Sequence, residues 1–467
     1  MMQQFLMTRR SMLFSLVGLM LTALLTVWGC GGSGSTGSGS YPIPVTPQPA
    51  AALETADKTS KATADDLKTW INSGYLNNNS AIASKASTIS KAATSSSAAK
   101  LVILAVTTPA DYLNGHIPGA QLLNSATEIN QTRLEGVAQI GTQTPDGTII
   151  DPIIKRSGID ANTTIVFTVS KKGSFLNAAR AYYIFRYWGF AKERLKILDG
   201  GDDAWVDAGN TLTTEAPVIT PSTYSVKNNT NNFQLRSSIG DMISLVDGIN
   251  QGTISNDVDG VAILDVRGPT NGVLPTVYMA NAKVDDFAQY TTAISGKTSK
   301  YNDAESIKTH LATFGVAAQT KMTYVYCASG TRAASTFFVL DGILNWPVTL
   351  YDGSWNQWGQ YFFNTSTGQD TNKKLYSDYN LPSASPWRVD INTPGTTKAR
   401  TTGTMLTNPN TSPAVGTALA LDPVALAMYT TTDPRANQMK IADLLYITPV
   451  VTTTPTTPSG GGSASGC

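Results

Sequence analysis

A pattern that occurs twice in the sequence is the strongest constraint on how this chain folds. The apolar run Val102–Thr107 returns about 160 residues later as Ala262–Arg267. In the same order, Thr164–Phe167 returns as Thr323–Tyr326. All four runs are short and contain β-branched residues, which is typical of buried parallel strands. The pattern therefore predicts two α/β units of similar fold within the 467 residues of the chain.

The segments that follow these strands recur as well. A loop of small residues and a helical pattern with an Arg-Ala pair come next, at Arg180 in the first unit and at Arg332 in the second. An aspartate then precedes a tryptophan by six positions, at Asp199 and again at Asp352. Strands that alternate with helices indicate the α/β fold class, so each unit is expected to be a parallel sheet flanked by helices.

Composition divides the chain into five segments. The predicted segments are a signal peptide at 1–29, a flexible Gly/Ser/Pro tether at 30–60, a first domain at 61–222, a second domain at 228–365 and an extension at 366–467. The extension is rich in Thr, Pro, Asn and Ser, so we expect an irregular wrap with one or two short helices and a disordered tail.

The amino terminus resembles a bacterial export signal that ends in a lipidation site. A positive segment that contains Arg9 is followed by the apolar stretch Met12–Trp28. Val27–Cys30 resembles a lipobox, in which the cysteine becomes the lipidated first residue of the mature protein. Cys30 is therefore predicted to carry the lipid, with an uncleaved membrane anchor as the alternative. The paired arginines also resemble a twin-arginine signal.

The predicted anchor has consequences for location. A lipid on Cys30 and the flexible tether would hold a soluble body at a membrane surface. Gly31 after the cysteine suggests the outer membrane in lipoproteins of this kind. We therefore expect a lipid-anchored protein of the bacterial cell envelope, where an envelope protein complex is a possible partner.

Composition excludes several other classes of function. Lys and Arg number 34 and Asp and Glu number 33, so the net charge is +1, whereas a general nucleic-acid binder needs a basic excess. The chain has two histidines and three cysteines, without the spacing of a structural zinc site. We therefore expect no metal site and no nucleic-acid partner, and at most one disulfide can form.

The candidate for chemistry is Cys327, which directly follows the predicted strand Thr323–Tyr326. Open α/β sheets bind ligands at the carboxyl ends of their strands. The small residues Ala328–Thr331 let the loop curl with backbone N–H groups toward the sulfur, and the next helix adds the partial positive charge of its N-terminus. Arg332 adds a full charge. This environment would stabilise a thiolate or a persulfide, whereas a buried inert cysteine is the alternative.

These residues resemble a known family. The Cys-x-x-Gly-x-Arg pattern that begins at Cys327 resembles the active loop of rhodanese-type sulfurtransferases. Leu264–Arg267 is similar to the first-strand motif of the family, and Tyr351–Trp355 resembles the segment that closes the active domain of tandem rhodaneses. Gly115–Ala120 resembles the most recognisable turn of the family. The matches cover about 64–365 and imply two rhodanese-like domains in a lipoprotein form of a tandem rhodanese.

The resemblance implies transfer of a sulfane sulfur through a persulfide. Cys327 would take the sulfur from thiosulfate or mercaptopyruvate and pass it to a thiophilic acceptor such as cyanide or a thiol, without a metal or an organic cofactor. Cys327 and Arg332 are the predicted catalytic residues. The residues predicted to bind the substrate are Ala328, Ser329, Gly330, Thr331, Asp265 and Arg267. Asp265 and Arg267 could either assist the site electrostatically or form a structural ion pair.

Both units depart from the family pattern. The first contains no cysteine, and Ala105–Thr107 stands where the second has Asp265–Arg267, so the first unit is predicted to be inactive. In the second unit, Tyr278–Ala282 stands where the characteristic turn is expected. Two-domain relatives often carry a further arginine where this chain has Thr270 and Asn271. The difference affects the predicted binding of the donor more than the predicted nucleophile.

The sequence leaves several alternatives open. The small neutral residues after Cys327 are typical of mercaptopyruvate-type relatives, whereas Arg332 favours thiosulfate, toward which the prediction leans slightly. Cys467 is expected to be a free tail thiol, with a disulfide or mixed persulfide to Cys327 as the alternative. His116 is expected to be structural and His310 to be solvated. The alternative function is a non-catalytic envelope lipoprotein that uses its rhodanese-like domains as a binding scaffold in a membrane complex.

Overall fold

The computed structural model of the chain divides into two units, residues 1–47 and 48–467. The structure describes residues 49–77, 99–135, 138–250, 252–275, 277–362, 388–390 and 437–448. Cys30, Cys467 and the predicted signal peptide lie outside the described residues, and so does part of the tether. None of the described helices is both long and apolar enough to span a bilayer.

The first module is a five-stranded parallel sheet in the order β1-β7-β6-β2-β3, with helices on both faces. Its elements are β1 (Lys61–Ala62), α1 (Ala64–Asn72), β2 (Lys100–Thr107), α2 (Pro109–Asn114), β3 (Ala120–Asn124), β4 (Gln131–Glu135), β5 (Ala138–Gln143), α3 (Gly147–Arg156), β6 (Thr163–Thr168), α4 (Phe175–Tyr187), β7 (Leu195–Leu198) and α5 (Gly201–Asp207). β2 and β6 lie inside the sheet, and nearly every residue of both strands is buried because helices cover both faces. β4 and β5 form a separate antiparallel hairpin.

The second module is also a five-stranded parallel sheet, in the order β8-β15-β14-β9-β11, which is the order of the first sheet matched strand for strand. Its elements are β8 (Arg236–Ser237), α6 (Ile239–Asn250), β9 (Val261–Asp265), β10 (Val277–Met279), β11 (Ala282–Val284), β12 (Thr291–Thr292), β13 (Lys300–Tyr301), α7 (Ala304–Ala312), β14 (Met322–Tyr326), α8 (Thr331–Phe338) with a π-helical continuation (Val339–Leu344), β15 (Val348–Tyr351) and α9 (Ser354–Phe362). Short 3-10 turns lie at Lys192–Arg194, Val226–Asn228, Phe233–Leu235 and Phe287–Tyr290. The described parts of the extension are β16 (Arg388–Asp390) and α10 (Gln438–Ile447).

The predicted fold class and the four predicted strands are confirmed. Val102–Thr107 lies within β2, and Thr164–Phe167 lies within β6. Ala262–Arg267 overlaps β9, and Thr323–Tyr326 lies within β14. β9 and β14 are parallel neighbours in the second sheet, as β2 and β6 are in the first. Their carboxyl ends therefore meet at one edge of each sheet.

Helices α4 and α8 pack against each other and join the two modules. The rings of Tyr182 and Phe338 lie 4.9 Å apart, and those of Tyr183 and Phe337 lie 5.0 Å apart. All four side chains are fully buried, and one apolar cluster continues from the first sheet to the second. α4 carries apolar residues around most of its circumference, as expected of a helix that is enclosed on all sides. The two modules therefore share a core.

The helix α10 of the extension contacts both modules. Asp443 accepts hydrogen bonds from Arg133 at 2.7 and 2.9 Å and from the Tyr187 hydroxyl at 2.6 Å, all in the first module. Lys440 forms an ion pair with Asp241 of the second module at 2.5 Å. This part of the extension is thus tied to the body of the protein by buried and half-buried charges.

Candidate active site

The loop that follows β14 carries Cys327 at the carboxyl edge of the second sheet. β14 is the central strand of that sheet, and helix α8 begins after the loop at Thr331. Gly330 precedes the helix with a φ of +86°, a conformation that any side chain would strain. A Cβ at this position would also come within 2.6 Å of the Asp352 carboxylate. The loop therefore requires a glycine between the cysteine and the helix.

The sulfur of Cys327 is held by the backbone of its own loop. The N–H of Gly330 donates a hydrogen bond to Sγ at 3.2 Å. The Cys327 N–H donates to Ser354 Oγ at 3.2 Å, and the Cys327 carbonyl accepts from the Trp355 N–H at 2.9 Å. A backbone N–H at the start of a helix stabilises negative charge, so this geometry suits a thiolate or a persulfide anion. Cys327 is only 1% exposed.

Arg332 lies on the first turn of α8, beside the loop. Its guanidinium donates a hydrogen bond to the Arg267 carbonyl and lies over the ring of Phe287, 5.2 Å from the centroid. Among the residues that the structure describes, no carboxylate forms an ion pair with Arg332. Within this part of the chain its charge is therefore not neutralised by a carboxylate, and it can attract an anion.

Asp265 and Arg267 form an ion pair at the end of β9. Arg267 Nη2 and Nε lie 2.6 and 3.0 Å from the buried Asp265 carboxylate, which also accepts from the Tyr326 hydroxyl at 2.8 Å. Burial alone would lower the pKa of Arg267, but the hydrogen bonds and the charge of Asp265 raise it. The Arg267 guanidinium lies 4.4 Å from the centroid of the Trp355 ring. The ion pair holds Arg267, whose carbonyl accepts the hydrogen bond from Arg332, and the Arg267 guanidinium also interacts electrostatically with Cys327, so a structural and an electrostatic role both remain compatible with this geometry.

The other residues predicted to bind the substrate form the loop between Cys327 and Arg332. The Ala328 carbonyl accepts a hydrogen bond from the Asn356 N–H at 2.9 Å. Ala328, Ser329 and Thr331 are half-buried, whereas Gly330 is buried. The rim of the loop is therefore the part that solvent reaches.

Two side chains of the first module act on this loop, and neither was recognisable from the sequence pattern as part of the site. Thr142 Oγ1 lies 2.9 Å from the Ser329 carbonyl oxygen. Arg180 forms a fully buried ion pair with Asp352, at 2.6 Å between Nη1 and Oδ1. Burial alone would raise the pKa of Asp352, but the charges of Arg180 and Arg236 outweigh burial and lower it. The ionised carboxylate thus lies directly beneath the glycine of the loop.

The corresponding loop of the first module has a valine at the position of the cysteine. The Asp202 N–H donates to the Val169 carbonyl at 2.9 Å, just as the Trp355 N–H donates to the Cys327 carbonyl. Ser170 follows the valine, and its hydroxyl lies 2.8 Å from that of Thr107. This loop therefore offers no sulfur for a persulfide.

The two histidines lie away from the Cys327 loop. His116 is buried, and both ring nitrogens contact backbone carbonyl oxygens, which confirms a structural role. His310 is solvated only in part, because 24% of its side chain is exposed. His310 Nε2 lies 2.8 Å from the Asp285 carboxylate, and the ring packs edge-on against Tyr290. Because the residues around His310 in α7 are polar, the sequence did not show that its ring packs against the second module.

Cavities of about 470, 370 and 300 Å³ occur elsewhere in the described part of the chain. The first has a polar lining that includes Lys100, Asp160 and Tyr224, and none of the three is lined by residues 327–332. Among the described residues there is no group of three or more His, Cys, Asp or Glu side chains that could hold a metal ion.

Comparison with known proteins points to one family. A family model described as "Rhodanese-like domain" matches residues 88–208. The sulfur carrier protein TtuD of Thermus thermophilus is 27% identical over 263 residues, which cover 53% of this chain and 84% of that protein. The thiosulfate sulfurtransferase of Corynebacterium glutamicum is 26% identical over 277 residues, which cover 56% of this chain and 83% of that protein.

Among solved structures, the 3-mercaptopyruvate sulfotransferase SseA of Escherichia coli matches with a TM-score of 0.44 and 18% identity, over 64% of this chain and 99% of that one. The family model matches residues of the first module, whereas Cys327 lies in the second. Residues 88–208 are thus similar to rhodanese-like domains, and the relatives, which match about half of the chain at 26–27% identity, support a rhodanese-type sulfurtransferase at the level of the family.

Proposed function

We propose that the second module is the catalytic domain of a tandem rhodanese-type sulfurtransferase, which moves a sulfane sulfur from thiosulfate to a thiophilic acceptor such as cyanide or a thiol. The observation that carries the proposal is the 3.2 Å contact between the Gly330 N–H and Cys327 Sγ at the start of α8. An N–H donor at this place can bind an anionic sulfur, so Cys327 is the proposed nucleophile. The first module, which lacks a cysteine, is proposed to be catalytically inactive.

The proposed reaction consists of two displacements at sulfur. The Cys327 thiolate attacks the outer sulfur of thiosulfate; a bond forms between that sulfur and Sγ, the S–S bond of the donor breaks, and sulfite leaves with the electron pair. Cyanide then attacks the terminal sulfur of the persulfide, and the Cys327 thiolate leaves with the electrons of the broken S–S bond. The Gly330 N–H and the N-terminus of α8 stabilise the negative charge before and after each step. The scheme needs no metal and no organic cofactor.

Arg332 is proposed to bind the donor. A single half-buried arginine beside an anion contributes about 1–3 kcal/mol, which is about ten- to hundredfold in affinity. Arg332→Ala should therefore raise the KM for thiosulfate by about ten- to hundredfold. Arg332→Lys keeps the charge and should retain much of the affinity. Unchanged thiosulfate kinetics in Arg332→Ala would mean that the backbone of the loop binds the donor, and the same variants with mercaptopyruvate would identify the better donor.

A cyanide-dependent thiocyanate assay on the full-length protein tests the proposed activity. Cys327→Ser should abolish the formation of thiocyanate, because neither Cys30 nor Cys467 begins a Cys-x-x-Gly-x-Arg pattern. Cys467→Ser is the matched control and should keep most of the activity. If Cys467→Ser were as inactive as Cys327→Ser, a mechanism with two thiols would have to replace the one proposed.

The burial of Cys327 favours a second candidate function. Because only 1% of the residue is exposed, a donor can reach the sulfur only when the surrounding segments move. A non-catalytic lipoprotein would instead use the two modules as a binding scaffold in an envelope complex, with Cys327 as an inert thiol. Alkylation by iodoacetamide distinguishes the two functions. The cysteine of an enzyme reacts in the native protein and is protected by prior sulfur loading, whereas an inert thiol reacts only after unfolding.

We further propose that the mature protein begins at a lipidated Cys30 and resides in the bacterial cell envelope, at the outer membrane. The lipobox-like Val27–Cys30 and the Gly/Ser-rich tether that follows support this location. Mass spectrometry of membrane-extracted protein should then find no peptide from residues 1–29 and a lipid on the first residue. An intact Met1 terminus would contradict the proposal.

A further inference from the structure

Thr142 has a backbone conformation that a β-branched residue rarely adopts. Its φ is +61°, in the left-handed region. Thr142 lies near the end of β5, within a bulge where β5 has one residue more than β4 between the pairs Gln131–Gln143 and Arg133–Ile140. Such a bulge re-aims a side chain and is frequent beside active sites. A strained backbone persists where its surroundings hold it, so the contacts of Thr142 indicate its role.

The contacts of Thr142 lead from the first module to the Cys327 loop. Its Oγ1 lies 2.9 Å from the Ser329 carbonyl oxygen and 2.6 Å from the Gly141 carbonyl oxygen, so two acceptors share the hydroxyl proton. Its own carbonyl accepts a hydrogen bond from Arg180 Nη2 at 2.7 Å. Arg180 is completely buried and paired with Asp352, and it therefore holds the strained residue in place.

The Ser329 carbonyl belongs to the same peptide group as the Gly330 N–H. A trans peptide is planar, and its C=O and N–H point in opposite directions. A hydroxyl that binds the carbonyl on one side therefore directs the N–H toward Cys327 Sγ on the other side, where it lies at 3.2 Å. Glycine lets this peptide rotate more readily than any other residue would. A rotated peptide would turn its carbonyl oxygen toward the sulfur and repel an anion.

We propose that Thr142 is a positioning residue of the sulfur site, because it fixes the Ser329–Gly330 peptide so that its N–H binds the anionic sulfur of Cys327. The proposal rests on the proposed function and gives the cysteine-free first module a direct part in the reactivity of the second. A hydrogen bond to the carbonyl also polarises the amide and strengthens its N–H as a donor. Without the hydroxyl, the thiolate and the persulfide lose stabilisation, while the affinity for the donor is preserved.

Four variants of the full-length protein test the proposal. Thr142→Val removes the hydroxyl at nearly constant shape, Thr142→Ser keeps it, and Thr142→Gly removes it and relieves the backbone strain. Thr132→Val changes an exposed residue of the facing strand β4 and is the control. The readouts are the pH profile of Cys327 alkylation by iodoacetamide and the kcat and KM for thiosulfate.

Thr142→Val and Thr142→Gly should move the alkylation profile to higher pH and lower kcat about three- to tenfold, with KM changed by less than about twofold. Thr142→Ser and Thr132→Val should behave like the wild type. If Thr142→Val does not fold, Thr142→Gly carries the test because glycine is unstrained at this φ.

The outcomes for the two proposals are distinct. A protein that never turns thiosulfate over, but whose alkylation profile shifts with Thr142→Val and Thr142→Gly, would refute the proposed function and support the role of Thr142. A protein that turns thiosulfate over with the same kcat and alkylation profile in all four variants would support the function and overturn the role of Thr142.

Discussion

Replacing Asp202 by asparagine should stabilise the folded protein at alkaline pH and change its stability little at acidic pH. Asp202 is completely buried at the start of α5. Its Oδ1 accepts a hydrogen bond from the Thr168 hydroxyl at 2.7 Å, whereas Oδ2 has no partner among the described residues. Burial raises the pKa of Asp202 to about 7, although the Thr168 hydroxyl opposes the shift. Asparagine keeps an acceptor for Thr168 and never ionises.

The size of the effect follows from the pKa of Asp202 in the two states. The carboxyl takes its ordinary pKa of 3.8 when unfolded and a pKa of about 7 when folded. The folded state therefore binds the proton of Asp202 more tightly than the unfolded state does. The contribution of this group to the free energy of unfolding is fully present below pH 3.8 and is lost as the pH rises toward 7. The loss is about 1.4 kcal/mol per pH unit in this range, which amounts to about 2–3 kcal/mol between pH 5 and pH 8. Asp202→Asn should not show this loss.

Chemical denaturation at about pH 5 and at about pH 8 measures the difference. The gain in free energy of unfolding from Asp202→Asn should be about 2–3 kcal/mol larger at the higher pH. Asp207→Asn removes an exposed carboxylate of the same helix, and its effect should be the same at both pH values because Lys297 lowers the pKa of Asp207. If wild type and Asp202→Asn lose stability in parallel as the pH rises, Asp202 is not a buried carboxyl with a raised pKa.

Two further substitutions have expected results. Gly330→Ala should lower the free energy of unfolding by more than about 1 kcal/mol and slow thiosulfate turnover, because φ is positive and the Cβ meets Asp352. Gly209→Ala is the control: φ is also positive there, but no atom lies near the added Cβ, so turnover should stay unchanged. Equal turnover in the two variants would contradict the role of the Gly330 conformation. Asp443→Asn should lower the free energy of unfolding by about 3–5 kcal/mol, because Arg133 is left buried without its charged partner. A decrease within experimental error, measured by chemical denaturation, would show that α10 does not stabilise the packing of the modules.

Local patterns in the sequence were sufficient for the parallel strands and for the place of Cys327. A short buried strand is read from a run of neighbouring residues, and a cysteine after such a run must lie at the edge of the sheet. The contacts of Thr142 and Arg180 could not be read in this way. They join residues 187 and 172 positions apart and depend on how two modules pack.

The recurrence of the Arg-Ala pair related Arg180 to Arg332, yet their environments differ completely. Arg180 is enclosed by Asp352 and the helix contact, whereas Arg332 lies at the half-buried rim. Arg180 is the sixth residue of α4, whereas Arg332 is the second residue of α8, so a repeated pair of residues shows neither that two positions correspond nor which one faces solvent. The burial of Cys327 was hidden for the same reason, because it results from segments distant in the chain.

The mass of the peptide that contains Cys327, measured after incubation of the native protein with thiosulfate, shows whether Cys327 carries the transferred sulfur. We expect this peptide to gain the mass of one sulfur atom and cyanide to remove the gain while thiocyanate appears. Cys327→Ser should show neither change. The same gain on a Cys467 peptide, or an unmodified Cys327 in a protein that still produces thiocyanate, would contradict this role of Cys327.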